Sequence, residues 1–167
     1  EDKMFHTKNI NYKMLSKDSL DAVRKFVTTE KHLFDMGISY LPHKPKNQSH
    51  RWKPYTNLLR PITNYLKEKD LNITIIGSNR IEGNTKRNSF KVPNKVNGSN
   101  TTIFIPLFDY SREQKILHFA NTNCALNSTL VFDNSLYRRW VNESNIKFCF
   151  LVYGVSESIS IVTERLS

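Results

Sequence analysis

Two stretches of the first 70 residues carry apolar side chains at helical spacing. The first follows Ser16, whose hydroxyl can accept a hydrogen bond from an amide of the first turn, and it predicts a helix from Ser16 to about Thr28. The second predicts a helix from Tyr55 to Asp70, which Pro61 is expected to kink unless it lies near the start. The two apolar stripes are Leu20, Val23, Phe26 and Val27, and Leu58, Leu59, Ile62 and Leu66.

The segments around these helices have no helical pattern. Phe5 to Leu15 alternates loosely between apolar and polar residues, which predicts a first strand. Ser39 to Pro54 contains three prolines and is predicted to be a loop, because proline removes a backbone donor and restricts its neighbour.

From Leu71 onward the pattern changes to short runs of β-branched and aromatic residues separated by Asn, Gly and Ser. About eight such runs predict an α+β, mainly β fold: a jelly roll of two facing antiparallel sheets with the two helices packed outside. We expect a single domain over residues 1–167, with a helical and loop part at 1–70 and the jelly-roll body at 71–167. The predicted strands are Asn72–Ile76, Ser89–Val92, Thr101–Phe108, Lys115–Phe119, Thr129–Phe132, Leu136–Val141, Ile146–Tyr153 and Ser158–Thr163.

Net charge makes phosphate polymers and acidic proteins candidate partners. The formal charge is +10, from 25 Lys and Arg against 15 Asp and Glu, and basic segments cluster in the first half. One of them, Arg51, Trp52 and Lys53, combines an aromatic ring with two cations, as nucleic-acid contacts do. A single aromatic residue is more typical of an anchor that holds a loop to the body, so nucleic acid or partner contact through these residues is one alternative and an anchor is the other.

Several classes of protein are not indicated. No apolar run is long enough to cross a bilayer, and no apolar signal core begins the sequence, so we expect a cytoplasmic location or one within a larger particle, without membrane contact. Cys124 and Cys149 form neither a disulfide framework nor a zinc motif. His118 lies in an apolar run, where a hydrogen-bonded core histidine is the simplest interpretation.

The order of helices and strands, with the strings from Thr101 to Leu107 and from Leu130 to Tyr137, resembles the double-stranded β-helix of the Fe(II)- and 2-oxoglutarate-dependent oxygenases. The Val131–Ser135 string also resembles a strand of the aspartyl/asparaginyl hydroxylases. The resemblance covers roughly the last hundred residues. It implies a jelly roll with an iron site made of a His-x-Asp/Glu pair and a distant His, a ligand set that leaves positions open for the oxoacid and oxygen.

The positions that the resemblance assigns to these ligands hold Lys91, Pro93 and Arg138. Protonated Lys and Arg have no lone pair for a metal, and none of the five histidines is followed two residues later by an acidic residue. We therefore expect no metal and no cofactor. The resemblance also places a basic residue at Lys147, which in the family pairs with the far carboxylate of the oxoacid. Lys147, Arg138 and Lys91 are the predicted anion-binding residues, although ordinary solvent-facing positions are the slightly favoured interpretation of Lys91 and Arg138.

Three functions stay open at this point. The favoured one is a non-catalytic structural or interaction domain of oxygenase type that binds a protein partner or a second copy of itself, within a larger assembly. The second is an active Fe(II)/2-oxoglutarate-dependent hydroxylase whose ligands lie at other positions, which would need two histidines and a carboxylate converging in space. The third is a nucleic-acid-binding module that uses the basic first half, which would need a continuous basic face.

Overall fold

The computed structural model describes residues 4–7, 9–29, 39–42, 52–81, 88–91, 98–107, 116–119, 122–125, 129–135, 139–142 and 148–167. Within these ranges the side chains of residues 4, 39–42, 52–53, 79–81, 88–91, 116–119, 122–125, 139–142 and 148 are not characterised, and only the path of the backbone is described there.

A six-stranded antiparallel sheet, called the large sheet below, forms the body of the molecule. Its order is β1-β8-β5-β10-β3-β2, so neighbouring strands come from distant parts of the chain. The central strand β10 pairs along its length with β3 on one side and β5 on the other. The strands are β1 (Met4–Thr7), β2 (Ser39–Pro42), β3 (Ile73–Ile81), β5 (Thr101–Leu107), β8 (Thr129–Asp133) and β10 (Phe148–Val155).

Four further strands form a second antiparallel sheet, called the small sheet below, with the order β4-β9-β6-β7. Strand β9 lies between β4 and β6, and Trp140 is the Cα partner of Phe90 on one side and of Phe119 on the other. The strands are β4 (Asn88–Lys91), β6 (Ile116–Phe119), β7 (Thr122–Ala125) and β9 (Arg139–Asn142). Two antiparallel sheets with this interleaved order make a jelly roll, so the predicted fold class is confirmed.

The central strands of the large sheet are buried on both faces. Side chains alternate between the two faces along each strand, so each face contributes its own set to the core. One face of β10 presents Tyr153 to the helices, where its hydroxyl lies 3.1 Å from that of Thr63. The opposite face carries Phe150, which stacks on Phe104 of β5 with ring centroids 4.9 Å apart. Phe104, Phe150 and Tyr153 are each at most 1% exposed. The core therefore extends through the sheet rather than lying on one side of it.

The described residues include four α-helices: α1 (Lys17–Thr29), α2 (Trp52–Leu58), α3 (Arg60–Glu68) and α4 (Ile159–Leu166). Ser16 caps α1 as predicted, since its hydroxyl accepts a hydrogen bond from the Ser19 amide at 3.1 Å. Arg24 of α1 donates to the Leu107 carbonyl at 2.9 Å and joins the helix to β5. None of the helices within the described ranges is both long and apolar enough to cross a membrane.

The second predicted helix is two helices. Residue Leu59 separates α2 from α3, and Pro61 lies in the first turn of α3, where its missing amide costs little. The interruption that Pro61 predicted is therefore present. The helical region also begins earlier than predicted, at Trp52 rather than Tyr55. Tyr55 of α2 stacks on Phe26 of α1 with ring centroids 5.1 Å apart, which packs the two helical segments together.

Two secondary-structure predictions were wrong. Ser158–Thr163 was predicted to be a strand but begins α4, because Val162 and Leu166, four residues apart, are both buried on one side of a helix. Ser39–Pro54 was predicted to be a loop but contains β2 and the first turn of α2. Proline is tolerated in both places, at the end of an edge strand and in a first helical turn.

The strand that was expected between Phe5 and Leu15 covers only Met4–Thr7, and a short 3-10 turn follows at Tyr12–Met14. Strand β7 was not predicted at all. Because β1 and β2 both join the large sheet, residues 1–70 contribute strands to the jelly roll as well as helices.

Candidate functional site

The small sheet brings two basic positions together. Lys91 is the last residue of β4, and its Cα partner is Arg139, the first residue of β9. Directly opposed residues of an antiparallel pair have Cα atoms about 4.5–5.5 Å apart. Arg138, the predicted anion-binding residue, immediately precedes Arg139 in the sequence and lies outside the described residues. The register therefore places Arg139, the second residue of the Arg138-Arg139 pair, beside Lys91.

Arg139 is the site residue that sequence reasoning missed. The doubled arginine was visible, but the choice of partner for Lys91 depends on the register between two strands that are almost 50 positions apart in the sequence. A register is set by the turns and by the whole hydrophobic pattern, so one slip would have paired Lys91 with a different residue.

The other predicted residues are distributed as follows. Lys147 precedes Phe148, the first residue of β10, and lies outside the described part of the chain, as do Pro93 and Arg51. Trp52 and Lys53 are the first two residues of α2, whereas the sequence placed them in a loop. The structure therefore does not test whether Arg51, Trp52 and Lys53 form one contact surface.

Two tyrosine hydroxyls are buried beneath the helices, that of Tyr153 beside Thr63 and that of Tyr55 beside Ser78. Burial raises the pKa of Tyr153, and the hydrogen bond with Thr63 opposes that rise. Burial also raises the pKa of Tyr55, and the Ser78 hydroxyl opposes it. Ser78 donates to the Phe150 carbonyl at 2.8 Å. Both tyrosines stay neutral at ordinary pH, so this cluster holds α2 and α3 against the sheet.

A second buried network closes the end of the large sheet. Asn134 accepts a hydrogen bond from the Thr102 hydroxyl and donates to the Ser99 hydroxyl at 2.9 Å. All three residues are at most 5% exposed. Asn134 belongs to the Asp-Asn-Ser turn after β8. The Val131–Ser135 string, on which the family resemblance partly rests, therefore contributes a buried hydrogen-bonding residue to the fold.

The residues at the three positions that the resemblance assigns to the metal ligands do not fit iron. Lys91 and Arg138 are cations and Pro93 has no donor side chain, so none of the three can coordinate a metal. Over the parts of the chain that the structure describes, no group of three or more His, Cys, Asp or Glu residues is close enough to hold a metal ion.

Neither a protein-family profile nor a curated protein sequence matches this chain. Solved structures do. AviO1 from Streptomyces viridochromogenes matches with a TM-score of 0.54 and 11% identity, covering 93% of this chain and 90% of that one. A 2OG-Fe(II) oxygenase family oxidoreductase from Burkholderia pseudomallei matches with a TM-score of 0.51 and 10% identity, covering 92% and 85%. The chain is thus similar in fold to this class of oxygenases.

These neighbours correct one expectation. The sequence led us to expect no cofactor, and that prediction is contradicted, because a structural neighbour of this fold belongs to the 2OG-Fe(II) oxygenase family. The neighbours point to Fe(II) and 2-oxoglutarate, rather than to no group at all, as the cofactors against which this chain has to be tested.

Proposed function

We propose that this chain is a binding domain built on the oxygenase fold, and that it recognises a small dicarboxylate of the 2-oxoglutarate class. The residues proposed to bind it are Lys91, Arg138, Arg139 and Lys147. The observation that carries the proposal is the strand register that makes Lys91 and Arg139 Cα partners, at the position where the family resemblance expects a metal ligand.

Electrostatics supports an anion at this place. Like charges at directly opposed positions destabilise an antiparallel pair by about 0.2–1 kcal/mol, and a bound anion offsets that cost. Cations that are partly removed from water form charge-assisted hydrogen bonds with carboxylates that are roughly twice as strong as neutral ones. The basic residue that the family uses for the far carboxylate corresponds to Lys147, so two ends of one dicarboxylate have candidate partners.

The second candidate function is an Fe(II)/2-oxoglutarate-dependent hydroxylase. The fold similarity to the Burkholderia oxidoreductase favours it. This function needs iron ligands other than the three triad-equivalent residues, and His118 on β6 is the first to consider, since its neighbour Phe119 is the Cα partner of Trp140 on β9. The protein partner or homo-oligomer that the sequence predicted stays a prediction in either case.

One experiment separates the two functions. The purified protein is titrated with 2-oxoglutarate by calorimetry, with and without added Fe(II) under anaerobic conditions, and succinate release is then measured in air. The binding domain predicts saturable 2-oxoglutarate binding without succinate. One equivalent of iron together with succinate formation would establish the hydroxylase and displace our proposal, and no binding under either condition would overturn both.

A further inference from the structure

A groove of about 390 Å³ lies between the two helices α2 and α3 and strand β3, on the side of the large sheet that the helices cover. It is separate from the small sheet and from Lys91 and Arg139. Its described lining residues are Thr56, Asn57, Arg60, Thr63, Asn64, Lys67 and Ile76.

The rim of the groove is cationic. Arg60 and Lys67 are both exposed, and their separation of seven positions makes about two turns of α3, or about 10 Å along the helix axis. Asn57 and Asn64 are exposed beside them, and none of the described lining residues is acidic. An anion in the groove therefore meets two positive charges and several neutral hydrogen-bond donors without opposing charge.

The floor of the groove is rigid, in contrast to its rim. Ile76 is 2% exposed in the centre of β3. Thr63 is 7% exposed, and its hydroxyl is held 3.1 Å from the Tyr153 hydroxyl at the centre of the sheet. The two long, exposed cations therefore stand beside a buried floor, where rotation of their side chains would let them reach a ligand without rearrangement of the backbone.

The segment of sequence between β2 and α2 is also basic. Ile76 in the floor is the Cα partner of Leu41 in β2. The chain that leaves β2 after Pro42 and returns at Trp52 reads His-Lys-Pro-Lys-Asn-Gln-Ser-His-Arg, with three cations and no acidic residue. This segment joins β2, which pairs with β3, to α2, whose residues Thr56 and Asn57 line the groove.

We infer that this groove binds phosphate groups, either of a free nucleotide or of a single-stranded nucleic-acid backbone. Arg, Lys, Thr and Asn are the side chains that most protein contacts to phosphate and sugar use. The planar guanidinium of Arg60 matches a phosphate with two parallel hydrogen bonds. Because no aromatic residue is among the described lining residues, base stacking is not expected and binding should be independent of base sequence.

The test compares two double variants that remove the same charge. Arg60→Gln with Lys67→Gln changes the groove, whereas Lys17→Gln with Lys25→Gln removes two exposed cations from α1. Binding is followed by fluorescence anisotropy with a labelled single strand of about 16 nucleotides, a length that covers one typical site. Unlabelled mononucleotide and inorganic phosphate serve as competitors.

We expect the groove variant to lose at least tenfold in affinity, and the slope of log affinity against log salt to fall by about 1.4, because each lost phosphate contact contributes about 0.7 on a single strand. The α1 variant should change affinity less than about threefold, since long-range charge is screened by salt. A third variant, Asn57→Asp with Asn64→Asp, places negative charge on the rim and should weaken binding as strongly as the groove variant.

The competitors identify the source of the phosphate. A mononucleotide that displaces the strand and binds as tightly as the strand indicates a nucleotide site. A strand that binds much more tightly than the mononucleotide indicates a site for a nucleic-acid backbone. Equal losses in the groove and α1 variants, or parent-like binding by the groove variant, would overturn the inference. Because the titration uses no 2-oxoglutarate, its failure leaves the proposed dicarboxylate site untouched.

Discussion

The two sheets of this molecule differ in strand length, in burial and in the charged residues that they contain. The central strands of the large sheet are nine, eight and seven residues long, whereas every strand of the small sheet has four. The large sheet is buried on both faces by aromatic and aliphatic side chains. The small sheet contains Lys91, which the oxygenase resemblance places at a metal-ligand position, and its Cα partner Arg139. The proposed binding residues and the buried core therefore lie on different sheets.

This difference between the sheets explains how two proteins can share a fold when only about one residue in ten is identical. At 10–11% identity, the Burkholderia and Streptomyces structures share the strand arrangement of this chain. A sheet core tolerates many apolar replacements when volume and alternation are kept, whereas a metal site is lost when a single ligand changes. We therefore expect substitutions in the large sheet to change stability strongly, and substitutions in the small sheet to change ligand binding.

Removing Phe150 should have the largest effect. Phe150→Ala leaves a cavity beside Phe104 in the middle of the large sheet, and we expect unfolding free energy to fall by about 3–5 kcal/mol. The matched control is Ile161→Ala on α4, which is 37% exposed and should cost less than about 0.5 kcal/mol. Urea denaturation measures both, and equal losses would show that the large sheet does not dominate stability.

Alkaline pH should weaken the same side of the large sheet. The pKa values of Tyr55 and Tyr153 are raised by burial, so the folded protein keeps both protons above pH 10, where the unfolded chain releases them. Stability is therefore complete below about pH 10 and falls by about 1.4 kcal/mol per tyrosine for each further pH unit. Denaturation of the parent and of Tyr153→Phe between pH 9 and 11.5 checks this, and an equally steep loss in both would contradict it.

Gly154 tests the close approach of β10 to its neighbours. An added Cβ would lie 2.6 Å from both the Ile75 methyl group Cγ2 and the Ser99 hydroxyl oxygen, well inside contact distance. Gly154→Ala should therefore destabilise the protein by about 1–3 kcal/mol through overpacking. Thermal and urea unfolding provide the measurement, and a variant as stable as the parent would show that this corner of the core can expand.

The smallest effect on stability is expected in the small sheet. Arg139→Gln removes one of two opposed like charges, so stability should stay constant or rise by up to about 1 kcal/mol, while binding of 2-oxoglutarate weakens. Ser89→Ala on β4 is the matched control, since it changes the same strand pair without changing its charge. A loss of stability as large as that of the Phe150 variant would remove the distinction between the two sheets.

The sequence predicted those elements whose evidence is local. Helix α1 follows from one apolar stripe and the Ser16 cap, and β5 and β8 follow from continuous β-branched and aromatic runs. Helix α4 was missed because Ser158–Thr163 alternates apolar and polar residues over a short run, and only the burial of Val162 and Leu166 shows the helical period. Strand β2 was missed because its pairing with β3 spans over 30 residues and outweighs its proline.

The candidate sites were predictable to different degrees. Lys91 and Arg138 came from resemblance to a family, whereas the partner of Lys91 required a register that no local pattern reveals. In the helical groove, the polar face of α3 was visible as Arg60, Asn64 and Lys67 at helical spacing. The floor that Ile76 provides depends on how the helix docks on the sheet, so the cavity itself was not predictable.

The account is tested most directly by the Kd of 2-oxoglutarate for the parent protein and for Lys147→Gln and Arg138→Gln, measured by calorimetry beside Lys25→Gln on α1. We predict that each of the first two substitutions raises the Kd at least tenfold, which corresponds to about 1.4 kcal/mol, and that the control leaves it unchanged. A parent protein that does not bind 2-oxoglutarate, or that binds it as tightly after Lys147 and Arg138 are replaced, would contradict the proposal that these cations form a dicarboxylate site.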